Sequence, residues 1–590
     1  MTDEEILNKL EECTKDAKHL QLQTLQTILE RNGCVRYLQP HLRGYSAPVD
    51  ADTFRRVVPL SSYDDYADSI NCLADGCSDH DDDDDPPILS VDPLVCFFYS
   101  SGTSTMKPKM IPYFDSMHSK AASFLAHQGS AAVLRRLFPP RPSVNKILWF
   151  LYGGNVRKTK GGFEAMAASS FPFHSNKSSP SQLLAMCSSP REVILGSDPQ
   201  HQMYCHLLCG LRIPNSVDGI RAPYAIGLVK AFSLLESKWE QLCEDLEHGS
   251  VSSEITDVTM RDAVVELLGG PQPDLSKRIR TICEENEWGG IFSKLWPELR
   301  YVSCVTTGSM EQYYPKIKYY AGEIPVLGAD YFASECGVAI NLDRMKPPEL
   351  TRFVMLPNAA YFEFLPFDLG ENNVGEETVD FSGVEVGKMY EVVVTTYRGL
   401  FRYRLGDIVR IVGFYNSSPQ MEFVMRAPKT STEVLTERDL MSAMESFQIL
   451  LRNEAMAEIT EFASFLDSGS SPKQVKIFVE VREGCLFLQK EKLQDLVLVL
   501  RSCSSSLDGN LGGVYKERRE SGDVGPLVVS IVKPGSFERL SRLAIENGAP
   551  AGQYKPPKII RNREIVKLME GLMIVTVCLD FLDVKVPKDI

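Results

Sequence analysis

An apolar run, Val95–Tyr99, empties into Ser100-Ser101-Gly102-Thr103-Ser104-Thr105-Met106-Lys107-Pro108-Lys109. Small residues let a backbone come close to a ligand, hydroxyls and N–H groups donate hydrogen bonds, and lysine brings positive charge. Phosphate oxygens require this combination. The order of residues is not that of a Walker A loop. A polar turn with no ligand is the competing reading.

Three later segments carry complementary chemistry. In Tyr331-Phe332-Ala333-Ser334-Glu335, an aromatic ring could stack on a purine while a carboxylate holds a divalent cation against phosphate. A strand end with a solvated glutamate is the plainer alternative. From Tyr390 to Asp407, a β-branched strand turns at Gly399 into an arginine-rich hairpin closed by Gly406-Asp407. A carboxylate in such a loop can accept both hydroxyls of a ribose, or serve only as a turn residue. In Gly552-Gln553-Tyr554-Lys555-Pro556-Pro557, the prolines stiffen a loop that could present Lys555 to a phosphorus centre. Alone, Lys555 is an ordinary surface lysine.

Mixed α/β elements must position these segments. Thr2 and Glu5 have capping-box spacing before one or two amphipathic helices that stop near Gly33. Between Ile88 and Phe423, strand-like runs (Val95–Tyr99, Ile147–Leu151, Glu192–Leu195, Tyr390–Thr395) alternate with helix-like ones (Ala225–Leu235, Trp239–Leu246). The polar stretch Arg426–Glu433 reads as a linker. Beyond it, Thr436–Ala455 reads as a helix, Val475–Val481 as a strand, Leu493–Leu500 as a helix, Leu527–Val532 as a strand and Phe537–Asn547 as a helix. The predicted division is a large domain over 1–425, a hinge over 426–434 and a small α/β domain over 435–590.

Composition narrows the function classes. The chain has 590 residues, 44% hydrophobic and 24% charged, enough apolar material for a large core. A net charge of −15 disfavours nucleic-acid binding but permits one nucleotide held by local groups. The N-terminus lacks a signal-peptide core, and the run Gly571–Leu579 is too short to span a bilayer, so a cytoplasmic protein without a membrane segment is expected. The 15 cysteines lack zinc-ligand spacing and read as free thiols. The acidic run Asp79–Asp85 before Pro86-Pro87 reads as a solvated loop.

Taken together and in order, the four segments resemble the plant acyl-acid amido synthetases, the auxin- and jasmonate-conjugating Gretchen Hagen family of adenylate-forming enzymes. Tyr204–Leu211, Leu268-Gly269-Gly270-Pro271, Leu295-Trp296-Pro297, Thr307-Gly308-Ser309-Met310 and Tyr361–Pro366 also match that family's pattern. The resemblance implies a large domain of sheet and barrel subdomains and a small mobile C-terminal α/β domain. It implies ATP and Mg²⁺ as cofactors, a small carboxylic acid and an amino acid as substrates, and a monomer. Ser100, Ser101, Thr103 and Lys109 fall on the family's phosphate loop. Thr307, Gly308, Tyr331 and Ser334 fall near the nucleotide, Glu335 on the magnesium position, Asp407 on the ribose position and Lys555 on the adenylation lysine. Ser169, Pro223 and Val338 fall near the acyl pocket.

Ala333 stands where the family carries a hydroxyl, and Val434-Leu435 where an Asp-Lys pair is common, with Lys429 as a possible substitute. The tail after Ile560 matches poorly. Two other functions share the first chemistry: an acid–coenzyme A ligase, and a catalytically impaired protein that only binds nucleotide and acid.

Overall fold

The computed structural model describes residues 1–77, 85–100, 108–174, 180–368, 373–375, 377–428, 433–482, 493–579 and 584–585. Among the described residues the strands form four sheets.

The first is a four-stranded sheet that carries the two ends of the hydroxyl-rich loop: Leu94–Tyr99 pairs antiparallel with Met110–Phe114 and parallel with Glu164–Ala167, which pairs in turn with Arg157–Lys158. The second is wholly parallel and runs Lys146–Trp149, Val217–Tyr224, Tyr301–Val305, Val326–Gly328. Helices Pro199–Arg212 and Ala225–His248 cover it, and Leu208, Ile220, Phe232, Phe292, Trp296 and Val302 make its core. Trp296 is fully buried, and its indole N–H is satisfied by the Gly210 carbonyl at 2.9 Å.

The third sheet has eight strands and is antiparallel throughout. It brings Tyr331–Phe332, Gly337–Ile340, Met389–Thr395, Tyr403–Tyr415 and Ser418–Arg426 into one surface. The long helix Met117–Leu137 lies against the Gly337–Ile340 end, and the N-terminal helices Asp3–Lys15 and Ala17–Asn32 pack beside it. Thr2 and Glu5 do form the capping box, and Gly33 ends the second helix.

The fourth sheet belongs to the small C-terminal unit: Ile559–Ile560, Ile459–Asp467, Gln474–Val481, Val528–Val532, Met573–Cys578, Val584–Lys585. Alternation along Gln474–Val481 places Val475, Ile477, Val479 and Val481 in one core with helices Glu437–Ala455 and Leu493–Asn510. Phe478 points to the other face, where Phe537, Leu540, Ile565 and Met569 cover it. The poorly matching tail after Ile560 thus supplies a helix, Arg563–Glu570, and the strand Met573–Cys578 to this sheet.

Several sequence expectations change. Glu192–Leu195 is not a strand but lies on the short helix Arg191–Ile194; a four-residue apolar run is too short to separate the two periodicities. The two helices read between Ala225 and Leu246 are one, because Glu236-Ser237-Lys238 is a polar face of a continuous helix rather than a break. Arg426 ends a strand instead of opening the linker. Val434 and Leu435 are buried in the core of the small unit, so their apolar character is used in packing. The described cysteines are free thiols. Of the acidic run, Asp85 lies 3.5 Å from Arg36 in an exposed pair, while Asp79 and Asp81–Asp84 lie outside the described residues. So does Lys429. No helix among the described residues is long and apolar enough to cross a membrane.

Candidate active site

The hairpin of the first sheet carries the base of the hydroxyl-rich loop. Ser100 N–H donates to the Lys109 carbonyl at 2.9 Å, and Lys109 N–H donates back to Ser100 Oγ at 3.0 Å. The loop is therefore pinned at its neck, with Ser101 and Thr103 outside the described residues. Lys109 Nζ donates to Tyr403 Oη at 3.1 Å and lies over the Tyr63 and Tyr403 rings. Burial pushes the Lys109 ammonium pKa below its ordinary value, against the opposing pull of Glu335.

Strand Tyr403–Tyr415, reached from Lys109, also carries Asp407. Asp407 is not in a loop, as its Gly-Asp context suggested, but inside this strand. Gly406 has φ +72°, and the pairing with Met389–Thr395 shifts register between Glu391 and Val393. A bulge of this kind turns a side chain out of the regular alternation. The Asp407 carboxylate accepts from Tyr331 Oη at 2.5 Å and from Arg426 Nη1 at 2.6 Å. Burial, then the charge of Asp407, push the Tyr331 phenol far above its ordinary pKa, so it stays a donor. Asp407, foremost, raises the pKa of Arg426.

Thr307 and Gly308 approach the same place. Thr307 caps the turn Gly308–Tyr313. Gly308 has φ +62°, and a Cβ there would come within 2.6 Å of the Phe423 ring, so both the backbone and the space require glycine. Phe423 in turn meets Tyr331 edge-on at 6.1 Å.

Ser334 and Glu335 sit in the turn between Tyr331–Phe332 and Gly337–Ile340. Ser334 Oγ donates to the Tyr99 carbonyl at 3.2 Å, which ties this turn to the start of the hydroxyl-rich loop. Glu335 is only 8% exposed, and its carboxylate charge acts on Lys109, Arg398 and Arg426. A hard carboxylate beside the hydroxyl-rich loop suits Mg²⁺, which takes one or two carboxylates plus substrate phosphates.

Lys555 arrives from the small unit. Its Nζ lies 4.0 Å from the centre of the Tyr224 ring. The loop at Ala551–Gln553 packs against the strand Val217–Tyr224, with Gly552 close to Tyr152 and Pro223. Half-buried Glu437 stands within the fields of Arg426, Arg561, Lys555 and Lys558, while burial raises its pKa. The groups around Asp407 and the Lys555 loop therefore face each other across the junction of the two units.

The three residues expected near an acid are dispersed in exposure. Ser169 is exposed and Pro223 partly so, whereas Val338 is fully enclosed in the core of the eight-stranded sheet. Sequence reading did not single out Tyr403, Arg426 or Arg398. Arg426 lay inside what read as linker, and Arg398 was one of three arginines in a row of hairpin residues.

Residues 6–326 match the model of the GH3 family N-terminal domain, residues 353–426 its central domain and residues 438–564 its C-terminal domain. A probable indole-3-acetic acid-amido synthetase of Oryza sativa subsp. japonica is 53% identical over 390 residues, which is 64% of this chain and 79% of that protein. A jasmonoyl–L-amino acid synthetase of the same plant is 34% identical over 588 residues, 96% of each chain. The solved structure of the GH3.15 acyl acid amido synthetase has a TM-score of 0.83 at 30% identity, covering 99% of this chain and 98% of that one.

Proposed function

The chain belongs to the GH3 family, and from that premise we propose that it is an ATP-dependent acyl acid–amido synthetase that joins an acid of the auxin or jasmonate class to an amino acid. The observation that carries the reading is the meeting of three phosphate- and ribose-suited groups, Lys109, Glu335 and Asp407, with a loop from the other unit that presents Lys555.

In the first half-reaction a carboxylate oxygen of the acid attacks the α-phosphorus of ATP. A bond forms between that oxygen and phosphorus, the bond to the bridging oxygen of the β-phosphate breaks, and pyrophosphate leaves. Tyr331 offers its ring to the purine, and Asp407 accepts the ribose hydroxyls while Tyr331 and Arg426 hold it in place. Ser100, with Ser101 and Thr103, donates to phosphate, Lys109 neutralises charge beside them, and Lys555 meets the charge that builds on the equatorial oxygens. Glu335 would hold Mg²⁺, which would supply charge neutralisation for the phosphate groups.

In the second half-reaction the neutral amine of the amino acid attacks the acyl carbon. The C–N bond forms, the acyl–phosphate bond breaks, AMP leaves, and the amine proton passes to solvent or to the phosphate. An acyl-adenylate is already activated, so the protein's task is to position the amine and keep water out. Ser169 and Pro223 are placed on the wall of the acid pocket, with Val338 packed behind it. Residues 1–425, extended by Arg426 at the end of its strand, form the adenylating part, the following stretch to 434 the hinge and 435–590 the moving cap.

The test is acid-dependent exchange of labelled pyrophosphate into ATP, followed by mass spectrometry of products from a matrix of plant acids and amino acids. Exchange together with an amide product is expected. No exchange with any acid would leave a nucleotide-binding protein without this activity, and consumption of coenzyme A in place of amino acids would make it a thiol ligase.

A further inference from the structure

The hairpin that leads to Asp407 contains three arginines, and two are used for structure. Arg402 is buried against Glu363 at 2.8 Å, and Arg404 pairs with Glu391 at 2.6 Å. Among the described residues Arg398 forms no salt bridge, although the Glu335 carboxylate acts on its charge and lines the same cavity. Its one side-chain hydrogen bond goes to the Ser334 carbonyl. Its guanidinium stacks on Phe98, 5.2 Å from the ring centre, and on Tyr113, at 5.3 Å.

Phe98 and Tyr113 continue into an apolar wall with Phe171 and Ala168, beside Ser169. Arg398 also lines a small cavity with Ser119, Ala122, Ser123 and Gly337, bounded by Glu335. An arginine keeps its charge at any physiological pH and offers five donors in a planar fork. Here one N–H is committed to a carbonyl and the aromatic rings hold the plane still. The remaining N–H donors of this half-buried fork can be taken up by an acceptor oxygen on a bound ligand.

We propose that Arg398 is a specificity-determining residue of the acid pocket, and that the chain activates acids bearing a second acceptor oxygen, a ring ketone or a second carboxylate, ahead of acids with a purely hydrocarbon or indole body. The proposal rests on the acyl-acid reading above and deepens it. Jasmonic acid has a ring ketone as well as its carboxyl group, whereas indole-3-acetic acid offers no acceptor beyond the carboxyl, so Arg398 favours the jasmonate class. The fork donates to the second oxygen, and no bond is made or broken there.

The experiment measures kcat/KM for acid-dependent pyrophosphate exchange with matched pairs: 3-oxocyclopentylacetate against cyclopentylacetate, adipate against hexanoate, and jasmonate against indole-3-acetate. The oxygen-bearing member of each pair is expected to be faster by ~10-fold or more, the gain of a charged hydrogen bond. In Arg398→Met the preference collapses to ~3-fold or less while KM for ATP is unchanged, and Arg398→Lys keeps part of it. Thermal melting of each variant confirms folding. If Arg398→Met does not fold, the wild-type pairs and Arg398→Lys decide. Equal rates within the pairs overturn the proposal, and so does an equal loss for both members in the variant, which would assign Arg398 to the reacting carboxylate or to the turn at Ser334. Exchange with the plain acids alone defeats this inference while leaving the amido-synthetase reading intact; no exchange with any acid defeats the latter.

Discussion

Tyr313, at the end of the turn that begins at Gly308, donates its hydroxyl across the junction to Glu461 of the small unit, and the same carboxylate is paired with the fully buried Lys558. Gln312 adds a longer contact to Glu461 at 3.5 Å. Elsewhere along the junction, Lys230 meets Glu538 at 2.8 Å and Arg157 meets the Glu546 carbonyl at 2.7 Å. The pair Tyr313–Glu461 is the most enclosed of these bridges, and it holds the small unit where Lys555 reaches Tyr224.

Removing that bridge should separate the two half-reactions. Tyr313→Phe deletes one hydrogen bond to a charged acceptor, worth ~1.5–3 kcal/mol. Pyrophosphate exchange is expected to fall ~10-fold or more, the rate equivalent of that energy, while aminolysis of a preformed acyl-adenylate keeps its rate. Equal loss in both steps would mean that Tyr313 does not act on the closed arrangement. Lys558→Met leaves Glu461 buried without its cation and should cost ~3–5 kcal/mol in urea unfolding.

Asp407 accepts two hydrogen bonds from protein yet has lone pairs left for a ribose. Asp407→Asn loses the Arg426 pairing and weakens acceptance from ribose hydroxyls. KM for ATP should rise ~10- to 100-fold, the size of a lost charge-assisted bond. The discriminating measurement compares ATP with 2′-deoxy-ATP. Wild type should prefer ATP, and the variant should lose that preference. A preference that survives in Asp407→Asn places the ribose elsewhere.

Lys109 gives a pH signature. Its folded pKa lies below the ordinary lysine value of 10.5 because of burial. At neutral pH it is charged in both folded and unfolded chains, so the folded state bears the cost of enclosing an ammonium. That cost is released as pH rises through the folded pKa, and is gone above the unfolded one. In activity the sign is opposite, since deprotonation removes the positive charge beside the phosphate loop. The kcat/KM for ATP is therefore expected to show an alkaline limb that begins below pH 10.5. Lys109→Arg, which keeps its charge, should abolish that limb. An unchanged limb in the arginine variant assigns the titration to another group.

What could be read from residues alone followed the range over which each signal acts. The capping box at Thr2, the alternation along Val475–Val481 and the strand before Ser100 are local patterns, and the structure has them. Asp407 stood out in the sequence by its carboxylate after Gly406 but not as a bulged strand residue, because the register shift that turns it depends on pairing with Glu391 and Val393. Glu192–Leu195 failed for want of length. Arg426, Tyr403 and the Tyr313–Glu461–Lys558 group were invisible for one reason: each acquires its role from a partner 19 to 294 residues away, as Arg426 with Asp407 and Tyr403 with Lys109 show. No local composition announces such a pairing.

The last prediction concerns Lys555, the group that unites the two units in the proposed chemistry. Its side chain lies 4.0 Å from the centre of the Tyr224 ring, and its loop packs on the strand Val217–Tyr224. If its charge meets the pentavalent phosphorus, the effect belongs to the transition state and not to ground-state binding. Lys555→Ala should then lower pyrophosphate exchange by ~100-fold or more, with ATP affinity by calorimetry within ~3-fold of wild type, as expected for an interaction made only in the transition state. Tyr224→Leu removes only the cation–π contact, worth ~0.5–1 kcal/mol, and should cost ~2- to 5-fold. A Lys555→Ala variant with normal exchange, or one whose loss appears wholly as weaker ATP binding, would remove the lysine from the chemical step.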